Sequence, residues 1–221
     1  MVIEYHGSRN LSELRNRLHV KFVGGSLCLD LVNTVGGRSA TGAAVRDKIA
    51  SYQDVLGWSL LAGSLDRRCA KALAAVSARF PRPADAVFAR AIQLREALYG
   101  IFLRLSQNRR PAIADTGVFS SELAAARARQ RLVFRSGRFT WAFPECAHDA
   151  QDLDRVLWPV ALSAAELLSS GAVANLGQCQ GDGCGWMFLD TSRNRQRRWC
   201  DMKDCGNRAK VQRFRATRLP C

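Results

Sequence analysis

The sequence predicts a mainly α-helical protein with minor β structure, in which a helical N-terminal domain precedes a compact C-terminal module. Apolar residues recur at helical spacing through several segments of residues 1–171, and one short stretch alternates between apolar and polar positions. Five of the eight cysteines lie in the remaining residues, 172–221, and four of these five are bunched between residues 179 and 205. Hydrophobic residues make up 48% of the 221-residue chain, which is enough for a packed core.

The first apolar segment follows a turn at Gly24-Gly25. Residues 27–35 are almost continuously apolar, which is typical of a buried strand or a short core helix, and periodicity does not separate the two. Asp30 and Asn33 interrupt this run three residues apart, so on a helix they would share a face. They either line a small-molecule pocket or are buried polar groups satisfied by the backbone, and the second arrangement is the more common.

Helix signals and one hairpin signal fill the rest of the N-terminal domain. Capping residues, prolines and apolar periodicity predict helices over five segments, namely 51–61, 65–80, 87–105, 120–130 and 149–169. Pro159 should kink the last of these helices, and Gly171 should close it as a C-cap. Residues 132–143 predict a β-hairpin with Ser136-Gly137 at its tip, because Phe139, Trp141 and Phe143 alternate on one face of the second strand.

The cysteine spacing of the C-terminal module predicts a metal site. Cys179 and Cys184 form one pair, Cys200 and Cys205 form a second pair, and fifteen residues separate the pairs. Two close pairs joined by a loop of this size suit tetrahedral Zn²⁺ with four thiolates, and such a closed site is structural. Reduced structural cysteines or two disulfides are the alternatives, and the spacing does not match the common ferredoxin patterns.

The residues around these cysteines predict a small finger fold. Residues 186–190 and 197–200 read as short strands of a hairpin, and a helix should begin at the last cysteine, with Val211 and Phe214 on a narrow apolar face. A knuckle, a hairpin and a helix that starts at the final ligand resemble a treble-clef finger. The module is therefore predicted to be a treble-clef-like zinc finger.

The charge of the chain points to a polyanionic partner. There are 33 Lys and Arg residues against 19 Asp and Glu, a net charge of +14, and basic residues are dense beyond residue 192. Candidate nucleic-acid contacts are Arg193, Arg195, Arg197, Arg198, Lys203, Arg208, Lys210, Arg213 and Arg215. The alternative is a solvated face whose arginines pair with acidic residues or with the thiolates.

Several function classes find no support in the sequence. There is no phosphate-binding loop, no nucleophilic serine motif and no metal motif of His and Glu, and His6, His19 and His148 are isolated, so no enzymatic activity is predicted. No apolar run is long enough for a membrane helix, and the N-terminus has no signal-like segment. A cytoplasmic protein is expected.

The finger and the start of the chain resemble two known families. The segment from Cys179 to Lys210 closely resembles the CGNR zinc finger. That family is named after a four-residue motif, which is present here as Cys205-Gly206-Asn207-Arg208. The segment from Gly24 to Thr34 resembles the opening of the ABATE domain, which precedes this finger in bacterial proteins. The resemblance implies a stress-induced transcriptional regulator with the finger as its DNA-binding element.

These observations lead to one hypothesis and two alternatives. The hypothesis is a regulator that binds duplex DNA through the finger, while the N-terminal domain senses a small-molecule effector or forms a homodimer. The alternatives are an RNA-binding protein, and an enzyme whose finger only braces the fold. Exposed Trp186 and Trp199 would favour RNA, because single strands stack on accessible aromatic rings.

Overall fold

A computed structural model describes residues 7–38, 46–146 and 149–216. His6, His148 and most of the predicted loop 36–44 lie outside these residues. The helices are α1 Gly7–Leu18, α2 Leu27–Val32, α3 Tyr52–Leu61, α4 Arg67–Arg79, α5 Pro81–Ser106, α6 Ile113–Arg129, α7 Trp158–Ser169 and α8 Asn207–Ala216. The strands are β1 Val35–Gly36, β2 Arg46–Asp47, β3 Arg131–Arg135, β4 Arg138–Ala142, β5 Leu176–Gln178 and β6 Met187–Leu189.

The mainly α-helical architecture with small hairpins is confirmed. The three hairpins, β1–β2, β3–β4 and β5–β6, are antiparallel and two-stranded. Within the described ranges, none of the helices combines the length and the apolar character that a membrane span requires.

The first part of the ambiguous segment 27–35 forms a short core helix, α2. The last residue of the segment, Val35, begins strand β1. The residues of α2 from Cys28 to Val32 are all buried, and the helix packs against α5 and α7. Gly24 lies directly against this helix, since a Cβ atom there would stand 2.7 Å from the Cβ of Leu29. Trp58 of α3 and Phe102 of α5 are also fully buried, so the core of the N-terminal domain lies between these helices.

Two helix boundaries follow the capping signals. The Ser51 side chain accepts a hydrogen bond from the backbone N–H of Asp54, as the capping box predicts. Helix α4 ends at Arg79, before Pro81, and Pro81 then opens α5, where a missing N–H has no cost. Helix α6 begins at Ile113, seven residues before the predicted start at residue 120.

The prediction of one kinked helix over residues 149–169 was wrong. A 3-10 helix, Ala150–Val156, comes first, and α7 begins separately at Trp158 with Pro159 in its first turn. Proline is tolerated in that turn because its missing N–H would be unpaired there in any case. Gly171 is not a C-cap either, because Ser170 ends α7 in an extended conformation and Gly171 opens another 3-10 helix, Gly171–Asn175.

One disulfide joins two parts of the N-terminal domain. Cys69, in the first turn of α4, is bonded to Cys146, which follows the β3–β4 hairpin, and the two lie 77 residues apart in the chain. Neither cysteine has a neighbour at a recognisable spacing, so no local pattern indicates this pairing. The disulfide fixes the segment after the hairpin onto helix α4.

Candidate metal centre and nucleic-acid interface

The four predicted ligands come together in one buried cluster. The Sγ atoms of Cys179, Cys184, Cys200 and Cys205 all lie within 4.8 Å of one another. The Cys200 sulfur is 3.7 Å from the sulfurs of both Cys184 and Cys205. Four thiolates at a Zn–S distance of about 2.3 Å would place neighbouring sulfurs about 3.8 Å apart, so the cluster has the dimensions of a tetrahedral zinc site.

Backbone and side-chain donors surround these sulfurs. The Cys179 sulfur accepts hydrogen bonds from the N–H groups of Gly181, at 3.4 Å, and Cys200, at 3.2 Å. The Arg208 guanidinium donates to the Cys205 sulfur at 3.0 Å. Hydrogen bonds and a cation near sulfur favour thiolates over thiols, which is the protonation state that a metal ligand needs.

The turn that carries the first cysteine pair depends on glycine. A Cβ atom at Gly181 would lie 2.9 Å from the Cys205 sulfur, so only glycine lets the two knuckles approach. Gly183 has a φ of 64°, in the left-handed region that favours glycine. Contact with the Cys205 sulfur at Gly181 and the left-handed backbone at Gly183 thus explain why glycine occupies these two positions.

Crowding of the four sulfurs opposes their joint ionisation. Hydrogen bonds from Cys184 and Cys200 lower the pKa of the Cys179 thiol. The same contact with Cys179 raises the pKa of the Cys184 thiol, and contact with Cys179 and Cys184 raises that of Cys200. A divalent cation at the centre relieves this repulsion, so the donor set fits Zn²⁺, the cofactor that the sequence predicts.

The strands of the finger differ from those predicted. Strand β6, Met187–Leu189, pairs with β5, Leu176–Gln178, and residues 197–199 form no strand. The first cysteine pair therefore occupies the loop of the β5–β6 hairpin. Of the second pair, Cys200 precedes a π-helical turn, Met202–Gly206, and Cys205 lies within it; the turn leads directly into α8.

Asn33 joins the finger to the N-terminal domain. Its amide nitrogen donates to the carbonyl oxygen of Met187 at 2.8 Å, and its side-chain oxygen accepts from the N–H of Met187 at 2.9 Å. The side chain thus pairs with β6 as a neighbouring strand would. The Met187 side chain belongs to the main hydrophobic core, so the finger and the domain share buried surface.

Other contacts extend this junction. The Trp186 indole N–H donates to the carbonyl of Val35 at 2.8 Å, and the Leu189 N–H donates to the carbonyl of Gly24 at 2.8 Å. Lys21 lies between Asp201 and Asp204, at 3.3 and 3.2 Å. Sequence reasoning missed these docking residues, because no spacing or motif connects positions more than 150 residues apart.

Arg197 is half-buried and lines the groove described below. Its guanidinium donates to the carbonyls of Val23, Leu189, Trp199 and Cys200, and it lies 4.3 Å from the centre of the Phe188 ring. Because each of its nitrogens already donates to a backbone carbonyl, Arg197 holds the finger together. Arg208 is partly committed as well, to the Cys205 sulfur and to Asp204.

The remaining predicted basic residues are exposed on the segments that adjoin the cysteines in the chain. Arg198 is exposed, donates to the Gln180 side chain and lies over Trp199. The others have exposed side chains on the 193–195 loop, the π-helical turn or α8, and they are Arg193, Arg195, Lys203, Lys210, Arg213 and Arg215. A groove of about 860 Å³ runs between Arg193 and Arg198 on one side and Lys203 on the other.

Asp30 is held by the backbone. Its Oδ1 accepts a hydrogen bond from the N–H of Gly24 at 2.8 Å, at the start of α2. Burial raises the pKa of its carboxyl to about 6, although the N–H groups of Gly24 and Val23 act in the opposite direction. Asp30 and Asn33 both use their polar atoms to position backbone, one at the start of α2 and the other at β6.

Comparisons with known families agree with this organisation. Residues 25–171 match ABATE, described as "Putative stress-induced transcription regulator", and residues 175–218 match the CGNR zinc finger. The chain belongs to the ABATE family. Comparison with curated proteins found no significant match. The order of the two matches is the one that the sequence motifs predict.

Proposed function

We propose that this ABATE-family protein is a transcriptional regulator that binds duplex DNA through its finger, with a structural zinc ion holding the finger together. The exposed basic face beside the metal centre is the observation that carries this proposal. Arg193, Arg198 and Lys203 line a groove, and Lys210 and Arg215 add exposed positive charge on α8. Clustered cations on one face are the electrostatic footprint of a phosphate-binding surface.

Helix α8 has the properties of an element that enters a groove of DNA. It is ten residues long, and its side chains are exposed apart from the half-buried Ala209. The major groove admits an α-helix, and its arginine or lysine side chains can reach guanine or phosphate. Val211 and Phe214, predicted to form a narrow apolar face, are 47% and 55% exposed, and apolar contacts of this kind suit thymine methyl groups.

The tryptophans favour a duplex over a single strand. Trp186 is 7% exposed and packs at the junction with the N-terminal domain, where Lys48 lies over its ring. Trp199 is half-buried beside the cysteines. Because stacking of unpaired bases requires accessible rings, this arrangement supports duplex DNA over RNA.

The alternative of an enzyme with a bracing finger receives little support from the site. A tetrahedral site with four cysteine ligands leaves no position for a catalytic water. Asp30 has the raised pKa of a candidate acid, but its contacts are backbone N–H groups at the start of a helix. Of the two roles predicted for the N-terminal domain, effector sensing and dimerisation, the second has a specific surface to support it.

The DNA proposal is tested by titrating the full-length zinc-loaded protein with duplex DNA and with single-stranded RNA at two salt concentrations. We expect salt-dependent binding to the duplex, and the double variant R193A/R195A should reduce the slope of log K against log salt by about 1–2. R109A/R110A removes the same charge from an exposed loop of the N-terminal domain and is the matched control.

Two outcomes would overturn the proposal. One is the absence of salt-sensitive binding to either nucleic acid, and the other is an equal loss of affinity in the two double variants. Tighter binding to single-stranded RNA than to the duplex would favour the RNA alternative.

A further inference from the structure

The outer face of the β3–β4 hairpin is apolar and exposed. Leu132, Phe134, Phe139 and Trp141 are 53%, 64%, 66% and 63% exposed. The sequence predicts that Phe139, Trp141 and Phe143 share one face, and such alternation normally directs apolar side chains into a core. Phe143 is half-buried, whereas the four exposed side chains face away from the domain.

The strand register gathers the four side chains into one patch. Leu132 lies opposite Trp141, and Phe134 lies opposite Phe139, with the two phenyl rings 5.1 Å apart and edge to face. Side chains alternate between the two faces of a strand, so the basic residues of the hairpin, Arg131, Arg135 and Arg138, belong to the opposite face. The patch itself is therefore uncharged.

The hairpin is anchored at its base. Phe143, which follows β4, packs on the buried Trp158 with ring centres 5.0 Å apart. Three residues further on, Cys146 is tied to helix α4 by the disulfide. The apolar patch is thus presented by an element fixed to the domain at its C-terminal end.

The patch is of the size that a dimer interface needs. Three aromatic side chains of roughly 200 Å² each, about two-thirds exposed, and one leucine expose about 500 Å². This area is at the upper end of the largest apolar patches found on monomeric proteins, about 300–600 Å². Two such patches and their rims would bury more than about 1,000 Å², the lower limit of specific interfaces.

We propose that this face binds a second copy of the chain, with the two hairpins stacked across a two-fold axis. A nucleic acid is disfavoured as the occupant, because base-stacking surfaces combine aromatic rings with cations on the same face, and here the arginines belong to the opposite one. The same segregation lets two copies of a chain with a net charge of +14 approach without placing arginines in the interface. In an isologous interface the same patch serves on both sides.

This dimer does not depend on the proposed function. If both hold, a dimer presents two fingers to one duplex, and the number of phosphate contacts doubles. If the finger binds no DNA, the dimer is still expected, so the two proposals fail separately.

The test is the molar mass of the full-length zinc-loaded protein, by sedimentation velocity and light scattering, after nuclease treatment and at high salt. We expect the wild type to be a dimer at micromolar concentrations. The double variant F134S/W141S should be a monomer with an unchanged far-UV spectrum, because both side chains are on the outer face. Ile113→Ser changes an apolar side chain that is 90% exposed and outside the patch, and it should leave the dimer intact.

A second pair of variants tests for self-association specifically. Phe139→Glu and Phe139→Lys should each be monomeric alone, because like charges would face each other across the axis, and an equimolar mixture should recover the dimer. A monomeric wild type, a dimer that survives F134S/W141S, or a mixture that stays monomeric would overturn the proposal. Loss of nucleic-acid binding in a F134S/W141S variant whose mass equals that of the wild type would assign the patch to nucleic acid instead.

Discussion

The N-terminal domain buries Trp58, Phe102 and a continuous set of aliphatic side chains, whereas the interior of the finger consists of four cysteines, Trp186 and Phe188. The first core is large enough for the hydrophobic effect to supply most of its stability, and the Cys69–Cys146 disulfide adds to it. The second is too small for this, and its cohesion depends on the metal, on Arg197 and on the junction with the domain. Loss of the metal or of a finger contact should therefore destabilise the finger and leave the core of the N-terminal domain folded.

Removal of the metal is expected to have the largest effect. A strong chelator, or Cys200→Ser, should unfold the finger, since structural zinc contributes on the order of 10 kcal/mol to such modules. Hydrogen exchange should then show loss of protection over β5, β6 and the segment around Cys200, while α3 and α5 remain protected. Cys28→Ala, in the core of the N-terminal domain, is the control and should leave the zinc content unchanged. Retention of zinc and protection by Cys200→Ser would contradict the assignment.

Arg197→Ala should destabilise the protein by about 3 kcal/mol, because it leaves half-buried carbonyl groups without a donor and removes the contact with Phe188. Arg195→Ala, two residues earlier and fully exposed, should change the free energy of unfolding by less than about 0.5 kcal/mol. Urea denaturation of the zinc-loaded variants measures both. Equal effects of the two substitutions on the free energy of unfolding would mean that the contacts of Arg197 do not stabilise the finger.

The junction is tested by Asn33→Ala, for which we expect a loss of about 2–3 kcal/mol. The substitution leaves the N–H and C=O groups of Met187 buried and unpaired. Gln53→Ala, which removes one half-buried hydrogen bond to Ser77, is the comparison and should cost about 1 kcal/mol or less. If Asn33→Ala were no worse than Gln53→Ala by thermal and urea denaturation, the finger would be only loosely attached.

The smallest effect concerns pH. Because the native-state pKa of Asp30 is raised to about 6, its protonation favours the folded state, and this contribution is lost as the pH rises through about 6. Asp30→Asn keeps an acceptor for Gly24 but cannot ionise. At neutral pH it should be more stable than the wild type by about 1–2 kcal/mol, and the difference should vanish below about pH 4. Parallel curves of unfolding free energy against pH for the two proteins would refute the shifted pKa.

Local signals in the chain were sufficient for much of the fold. The capping box at Ser51, the apolar periodicity of α5 and the turn at Ser136-Gly137 each involve residues within a few turns of one another, so the pattern alone predicts the element. Helix α2 could not be distinguished from a strand, because a short segment buried on all sides has no periodicity. The predicted pairing of residues 186–190 with residues 197–200 in the finger was wrong, because β6 pairs with β5. The partner of so short a strand is set by the loop that carries the cysteines, and this loop conformation is not visible in the sequence.

The ligands of the metal site were predictable, because zinc imposes a spacing that is visible in the sequence. The basic residues were predictable only as a group. Charge in a sequence does not show which arginine makes hydrogen bonds within the fold. Arg197 donates to backbone carbonyls whereas Arg195 is exposed, and only folding creates this difference.

The sequence by itself thus determined the mainly helical class, the order of the two modules and the four zinc ligands, since all of these depend on local or regularly spaced patterns. Only the tertiary structure decided that Asn33 pairs with β6, that the Arg197 guanidinium donates to four backbone carbonyls, and that the aromatic face of the β3–β4 hairpin is uncovered. These properties depend on which distant surfaces meet, and that is fixed by packing and hydrogen-bond geometry.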